Sequence, residues 1–119
     1  MRILVVDDQS DVLDLVRAML RRSDHDLICE TEAPAALARL AVEEIDVFVT
    51  DIQMPVMDGF EAIRRARRAN PDLWIVAMSA GGGAVATQTA LTLSEALGAD
   101  YILYKPFTRA EFLAAIARS

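Results

Sequence analysis

Four short apolar runs punctuate the chain, and each ends on a polar residue. Ile3-Leu4-Val5-Val6 runs into Asp7-Asp8, and Val47-Phe48-Val49-Thr50 into Asp51. Trp74-Ile75-Val76-Ala77-Met78 runs into Ser79, and Tyr101-Ile102-Leu103-Tyr104 into Lys105. Continuous apolar runs of this length, rich in β-branched residues, predict parallel strands buried on both faces. Leu27 to Thr31 predicts one more short strand. Between the runs the period changes. Val12, Leu13, Val16, Met19 and Leu20 recur at helical spacing from Ser10 to Arg22, with Ser10 the expected N-cap. Pro34 is placed to open a helix at its first position and carry it to about Glu43. Asp58-Gly59-Phe60-Glu61 reads as a capping box before a helix through Arg68, closed by the turn Asn70-Pro71-Asp72. Thr108-Arg109-Ala110-Glu111 is a second capping box, opening a last helix with Phe112, Leu113 and Ile116 on one face. Between Ser79 and Leu97, the run Gly81-Gly82-Gly83 and the mediocre helix formers Thr87, Thr89, Thr92 and Ser94 predict a late-starting, mobile helix. Five strands alternating with five helices is the pattern of a parallel sheet covered on both faces, an α/β fold.

Composition narrows the class. A chain of 119 residues, 54% of them hydrophobic, has room for one domain with a real core. No apolar stretch is long enough to span a bilayer, and acids follow Val6 too soon for a signal peptide. A net charge of −6 disfavours nucleic acid and anionic lipid as partners. The single cysteine excludes an internal disulfide and suits a reducing compartment. The expectation is a cytoplasmic protein.

The polar strand ends carry the chemistry. In open α/β sheets the ligand sits beyond the carboxyl ends of the strands, so Asp7, Asp8, Asp51, Ser79 and Lys105 are expected to meet in one crevice. Taken singly, Asp7-Asp8 is a helix-start acid pair, Ser79 a turn residue and Lys105 a solvated lysine before Pro106. Together they are a divalent-metal and phosphoryl site. Converging carboxylates repel unless a cation intervenes, and magnesium takes oxygen ligands from one or two carboxylates and from substrate. Asp51 is then the nucleophile that forms an aspartyl-phosphate, with Lys105 and Ser79 as a cation and a donor for the phosphoryl oxygens.

Val5-Val6-Asp7-Asp8, Asp51-Ile52-Gln53-Met54-Pro55-Val56-Met57-Asp58-Gly59, Ser79-Ala80 and Lys105-Pro106-Phe107 resemble, in order and across the whole chain, the motif set of receiver domains of two-component response regulators. The resemblance implies a (βα)5 doubly wound, flavodoxin-like fold with strand order 2-1-3-4-5 and a cis Lys105-Pro106 bond. It implies Asp51 as phosphoacceptor and Ser79 and Lys105 as contacts of the phosphoryl group. Magnesium, or manganese, would be held by Asp7, Asp8, Asp51 and the backbone carbonyl of Gln53. The donor would be the phosphohistidine of a sensor histidine kinase or a histidine phosphotransfer protein. The expected job is switching, with residues 1–119 one receiver domain without an output domain; it is not an enzyme beyond assisting its own phosphorylation and dephosphorylation. Its signal would pass to a downstream protein through a face formed by the fourth helix, fifth strand and fifth helix; the target and homodimerisation stay open. The sequence departs from the family pattern at Ile102, three residues before the lysine, where Tyr or Phe is usual. The interval from Ser79 to Lys105 is also longer than usual, and ordering of its glycine-rich loop and helix is the expected readout of phosphorylation.

Other features are blander. His25 is read as a solvated loop residue and Cys29 as a small buried hydrophobe. Arg64, Arg65, Arg67 and Arg68 are read as a solvated, ion-paired helix face. The glycine run lacks the lysine and spacing of a phosphate-binding loop. Two rival functions remain. A magnesium phosphohydrolase would need an acid/base two residues after Asp51, where Gln53 stands. A phosphorylation-independent interaction module would not need the acceptor-site residues.

Overall fold

Alternate residues of the apolar runs pack on opposite sides of one sheet, which is why the runs are continuous and not alternating. In the computed structural model, residues 1–54, 57, 59–80, 92 and 98–118 are described. The strands are β1 (Arg2–Val6), β2 (Asp26–Glu30), β3 (Val47–Asp51), β4 (Trp74–Ser79) and β5 (Tyr101–Tyr104). They pair in parallel in the order β2-β1-β3-β4-β5. The described helices are α1 (Ser10–Leu20), α2 (Ala33–Val42), α3 (Gly59–Ala69) and α4 (Arg109–Ile116). On one side Ile3, Val5, Val49, Val76, Met78 and Leu103 pack with Leu13 and Val16 of α1 and Phe112 and Ile116 of α4. On the other, Leu4, Val6, Phe48, Ile75 and Ala77 pack with Ala36 of α2 and Ile63 and Ala66 of α3. The expected doubly wound sheet is the one observed, and the Lys105-Pro106 bond is cis.

Several local expectations shift. Ser10 is the first helical residue; the N-cap of α1 is Gln9, whose extended backbone accepts a bond from the Val12 amide and gives no side-chain cap. Pro34 follows Ala33 inside α2, still among the first amides that have no helical partner. The capping box at Thr108 and Glu111 is present with both reciprocal bonds, 3.1 and 2.9 Å. The turn after α3 closes with the Asp72 amide donating to Asn70 Oδ1 at 3.0 Å. Asp58 of the other capping box, and nearly all of the helix expected between Ser79 and Leu97, lie outside the described residues. Cys29 is half-buried rather than buried, because β2 is an edge strand, and its thiol is pushed up mainly by that burial. His25 is also partly covered, with Nδ1 3.2 Å from the Met1 ammonium.

Candidate functional site

The order of the strands brings the carboxyl ends of β1 and β3 side by side at the middle of the sheet. In the pairing register Val6 lies opposite Thr50, so Asp7 and Asp51 follow on adjacent strands at the same level. Asp7 is fully buried and Asp51 only 5% exposed, whereas Asp8 is exposed. One carboxylate oxygen from each of the three lies within 4.8 Å of the others. Three acids this close, two of them desolvated, are costly unless a cation is shared between them.

A cation of the chain reaches them. Lys105 Nζ lies 2.7 Å from Asp7 Oδ2 and 3.5 Å from Asp51 Oδ1, with the lysine side chain only 16% exposed. Its backbone is fixed by the Lys105 amide donating to the Ser79 carbonyl at 2.7 Å. Ser79 is the last residue of β4, 8% exposed, one position beyond Met78, which pairs with Asp51. Four of the residues read from the sequence therefore converge by direct distance, and Ser79 sits at the adjoining strand end. Gln53 is exposed, and its backbone amide hydrogen-bonds to the Asp51 carboxylate.

Burial pushes the Asp51 carboxyl above its ordinary value. The Lys105 charge opposes that rise, the Asp7 charge adds to it, the Gln53 amide opposes it and Asp8 adds to it. The Asp51 carboxylate is thus held between its own buried negative charge and the Lys105 ammonium. The hard oxygen donors of the cluster fit magnesium or manganese, whose charge would offset that of the acids.

Three contacts that sequence reasoning missed hold Asp51 and Asp7 in place. The Gln9 amide donates to Asp7 Oδ1 at 2.9 Å, orienting that carboxylate from the start of α1. Thr50 Oγ1 donates to the Asp51 carbonyl at 3.0 Å. Gly59 begins α3 against the backbone of the loop after β3: a Cβ there would collide with the Asp51 carbonyl oxygen and the Ile52 Cα. In the sequence Gly59 figures only as the last residue of the Asp51–Gly59 motif and the second of a capping box, neither of which records this close approach. On β5, Ile102 packs toward the α2–α3 side and Leu103 toward the α1–α4 side. Tyr101 therefore faces away from the side of Ile102, as a one-residue step requires, and it is exposed. Tyr104 shares the face of Ile102 two residues nearer the lysine.

The arginine-rich face of α3 divides in two. Arg64 and Arg65 pair with Glu61, as a solvated face would. Arg67 departs from that reading. It reaches across to Gly98, Pro71, Leu73 and Asp100.

No helix among the described residues is long and apolar enough to cross a membrane. The family profile of the response regulator receiver domain matches residues 3–117. The transcriptional regulatory protein PrrA of Mycobacterium tuberculosis is 36% identical over 115 residues, covering 97% of this chain and 48% of PrrA. The chemotaxis protein CheY homolog of Campylobacter jejuni is 33% identical over 112 residues, covering 91% of this chain and 83% of that protein. The chain spans about half the length, or less, of PrrA and several other curated relatives that it matches. Among solved structures, the chemotaxis protein CheY4 of Vibrio cholerae superposes with a TM-score of 0.84 at 26% identity, covering 97% of this chain and 94% of that one. With sheet order, helix placement and acid cluster in agreement, the chain belongs to the response regulator receiver domain family of two-component signalling.

Proposed function

We propose that this receiver accepts a phosphoryl group on Asp51 from the phosphohistidine of a histidine kinase or phosphotransfer protein, and passes the signal on by altered binding to a protein target. The observation that carries this reading is the acid cluster itself: a nearly buried Asp51 carboxylate, 3.5 Å from an ammonium and clustered with two further acids at the carboxyl ends of central strands. In the transfer, an Asp51 oxygen attacks phosphorus in line with the departing nitrogen. The new O–P bond forms as the N–P bond breaks, and the electron pair leaves on the imidazole nitrogen. Catalysis of such a transfer is mainly positioning and charge stabilisation. Magnesium, held by Asp7, Asp8, Asp51 and the Gln53 carbonyl, would supply positive charge against the phosphoryl oxygens. Lys105 shifts from the acids toward a phosphoryl oxygen, Ser79 offers a hydroxyl donor beside it, and the Gln53 amide keeps the Asp51 carboxylate oriented.

The same groups give the switch its energy. A phosphoryl group on Asp51 draws Lys105 and Ser79 inward, and both sit at ends of β5 and β4, so the altered contacts act on the outer part of the sheet. Residues 1–119 would work as one receiver unit whose output is a changed binding face that includes β5 and α4. Amide spectra recorded before and after treatment with phosphoramidate and magnesium test this. Shifts are expected at Asp51, Ala80 and Lys105 and onward through β5 into α4. Shifts confined to Asp51 and its immediate neighbours would contradict a switch.

A further inference from the structure

We infer that Arg67 is a positioning residue for the site lysine: by clamping the start of β5, it sets where Lys105, at the end of β5, presents its ammonium. The inference rests on the reading of Lys105 as the cation that meets the phosphoryl group.

The Arg67 guanidinium is spent on backbone rather than on solvent. Nη1 donates to the Pro71 and Leu73 carbonyls at 2.8 and 2.7 Å. Nε and Nη2 both donate to the Gly98 carbonyl at 3.0 and 2.7 Å, and Nη2 also reaches Asp100 Oδ2 at 2.7 Å. The same Asp100 oxygen accepts from the Ile75 amide at 2.8 Å, while the Asp100 amide donates to the Ile75 carbonyl at 2.7 Å. One side chain on α3 thus joins the α3–β4 turn to the segment that leads into β5, and through Asp100 to Ile75 of β4. Gly98 is shaped to this contact. Its φ is +108°, and a Cβ there would lie 2.8 Å from Arg67 Cγ.

The clamp bears on the lysine because β5 joins the sheet along one side alone, although Ile102 and Leu103 also pack into the two cores. The strand is four residues long, lies at the edge of the sheet and pairs with β4 alone. Short edge strands have low local stability. Asp7 and Asp51, by contrast, end β1 and β3, which are paired on both sides. The acids are therefore fixed by strands paired on both sides, while the lysine follows an edge strand held by its β4 ladder and core packing, by Asp100 at its start and by the Lys105-to-Ser79 bond at its end. A bidentate, charge-assisted clamp of this kind is not replaced by a lysine or a neutral chain.

This predicts a split that general destabilisation would not give. The full chain as wild type, Arg67→Met, Asp100→Asn, Lys105→Met and the Arg67→Met/Lys105→Met double variant would be titrated with magnesium, then with beryllofluoride in saturating magnesium. Magnesium affinity is expected to stay unweakened in Arg67→Met, while beryllofluoride binds about tenfold more weakly, the scale of one charge-assisted contact. Asp100→Asn should show the same split in smaller measure, and adding Arg67→Met to Lys105→Met should cost nothing more. Unchanged beryllofluoride affinity, equal weakening of both ligands, or a full additional loss in the double variant would each overturn the inference. A wild-type chain that ignores beryllofluoride would instead contradict the proposed function. Amide exchange in the metal-free protein would then decide the clamp: faster exchange at Leu103 to Lys105 than at Asp7 and Asp51 in Arg67→Met supports it, and wild-type rates overturn it.

Discussion

Asp51 is a carboxylate that the fold strips of water and surrounds with two more acids, leaving Lys105 to balance the charge. Its raised pKa has a definite sign for stability. A carboxyl whose folded value lies above its unfolded value of 3.8 favours folding while protonated, and that contribution is lost as pH rises through the raised value. At neutral pH the metal-free protein therefore carries Asp51 as a cost. Asp51→Asn is expected to raise stability without added divalent cation in denaturant melts at neutral pH, with the gain vanishing below the ordinary carboxylate range. Magnesium should stabilise wild type more than the variant. Equal stability at neutral pH would show that Lys105 already compensates the charge in full. Gly59 is the second residue on which the site turns. Gly59→Ala drives a methyl into the Asp51 carbonyl and the Ile52 backbone, with no flexible side chain to yield. A loss of about 3 kcal/mol is expected in the same melts; an unchanged midpoint would mean that α3 can shift away freely. Asp7, Asp8, Asp51, Ser79 and Lys105 were legible because each ends an apolar run. Gly59 and Arg67 were not, because their roles are contacts between elements distant in sequence or made by backbone atoms, which no local pattern records.

The helices and strands follow their local signals except where a tertiary partner intervenes. The capping box of α4 was plain at Thr108 and Glu111, since both partners lie within one turn. Ser10 looked equally suited to capping α1, yet Gln9 takes that position: its amide is held by Asp7, which places the first half-helical residue one step earlier. The arginine run of α3 shows the limit of reading charge as a solvated face. Arg64 and Arg65 fit that reading, and their bonds to Glu61 hold its carboxyl down at about 2. The sign is the reverse of Asp51. A depressed carboxyl contributes stability above its unfolded value of 4.5, and that contribution is lost as pH falls through about 2. The Glu61 carboxyl carbon is expected to titrate near 2 by NMR. Titration near 4.5 would mean that the arginine pairs are not populated in solution. Arg67, one turn further on, looks the same in sequence and instead binds four backbone or acidic oxygens of two segments.

For the whole molecule, parallel pairing, strand order and two-sided burial put every polar strand end at one edge of the sheet, and chemistry follows from topology. The alternation of strand and helix patterns was enough to read a doubly wound α/β fold, while the order 2-1-3-4-5 came only from the resemblance in motifs. Neither hydrophobic period nor caps distinguish one strand order from another. The order matters, because it seats Asp7 and Asp51 on neighbouring central strands and leaves Lys105 on the edge strand that Arg67 steadies. The central claim is that this cluster makes Asp51 the acceptor of a phosphoryl group through a bound divalent cation. The most direct measurement treats the chain with phosphoramidate, with magnesium or with chelator, reduces the acyl phosphate with borohydride and maps the modified residue by tandem mass spectrometry. Modification at Asp51 alone, lost on chelation, is the expected result. Modification at His25 or another carboxylate, or equal labelling of Asp51 without a divalent cation, would contradict it.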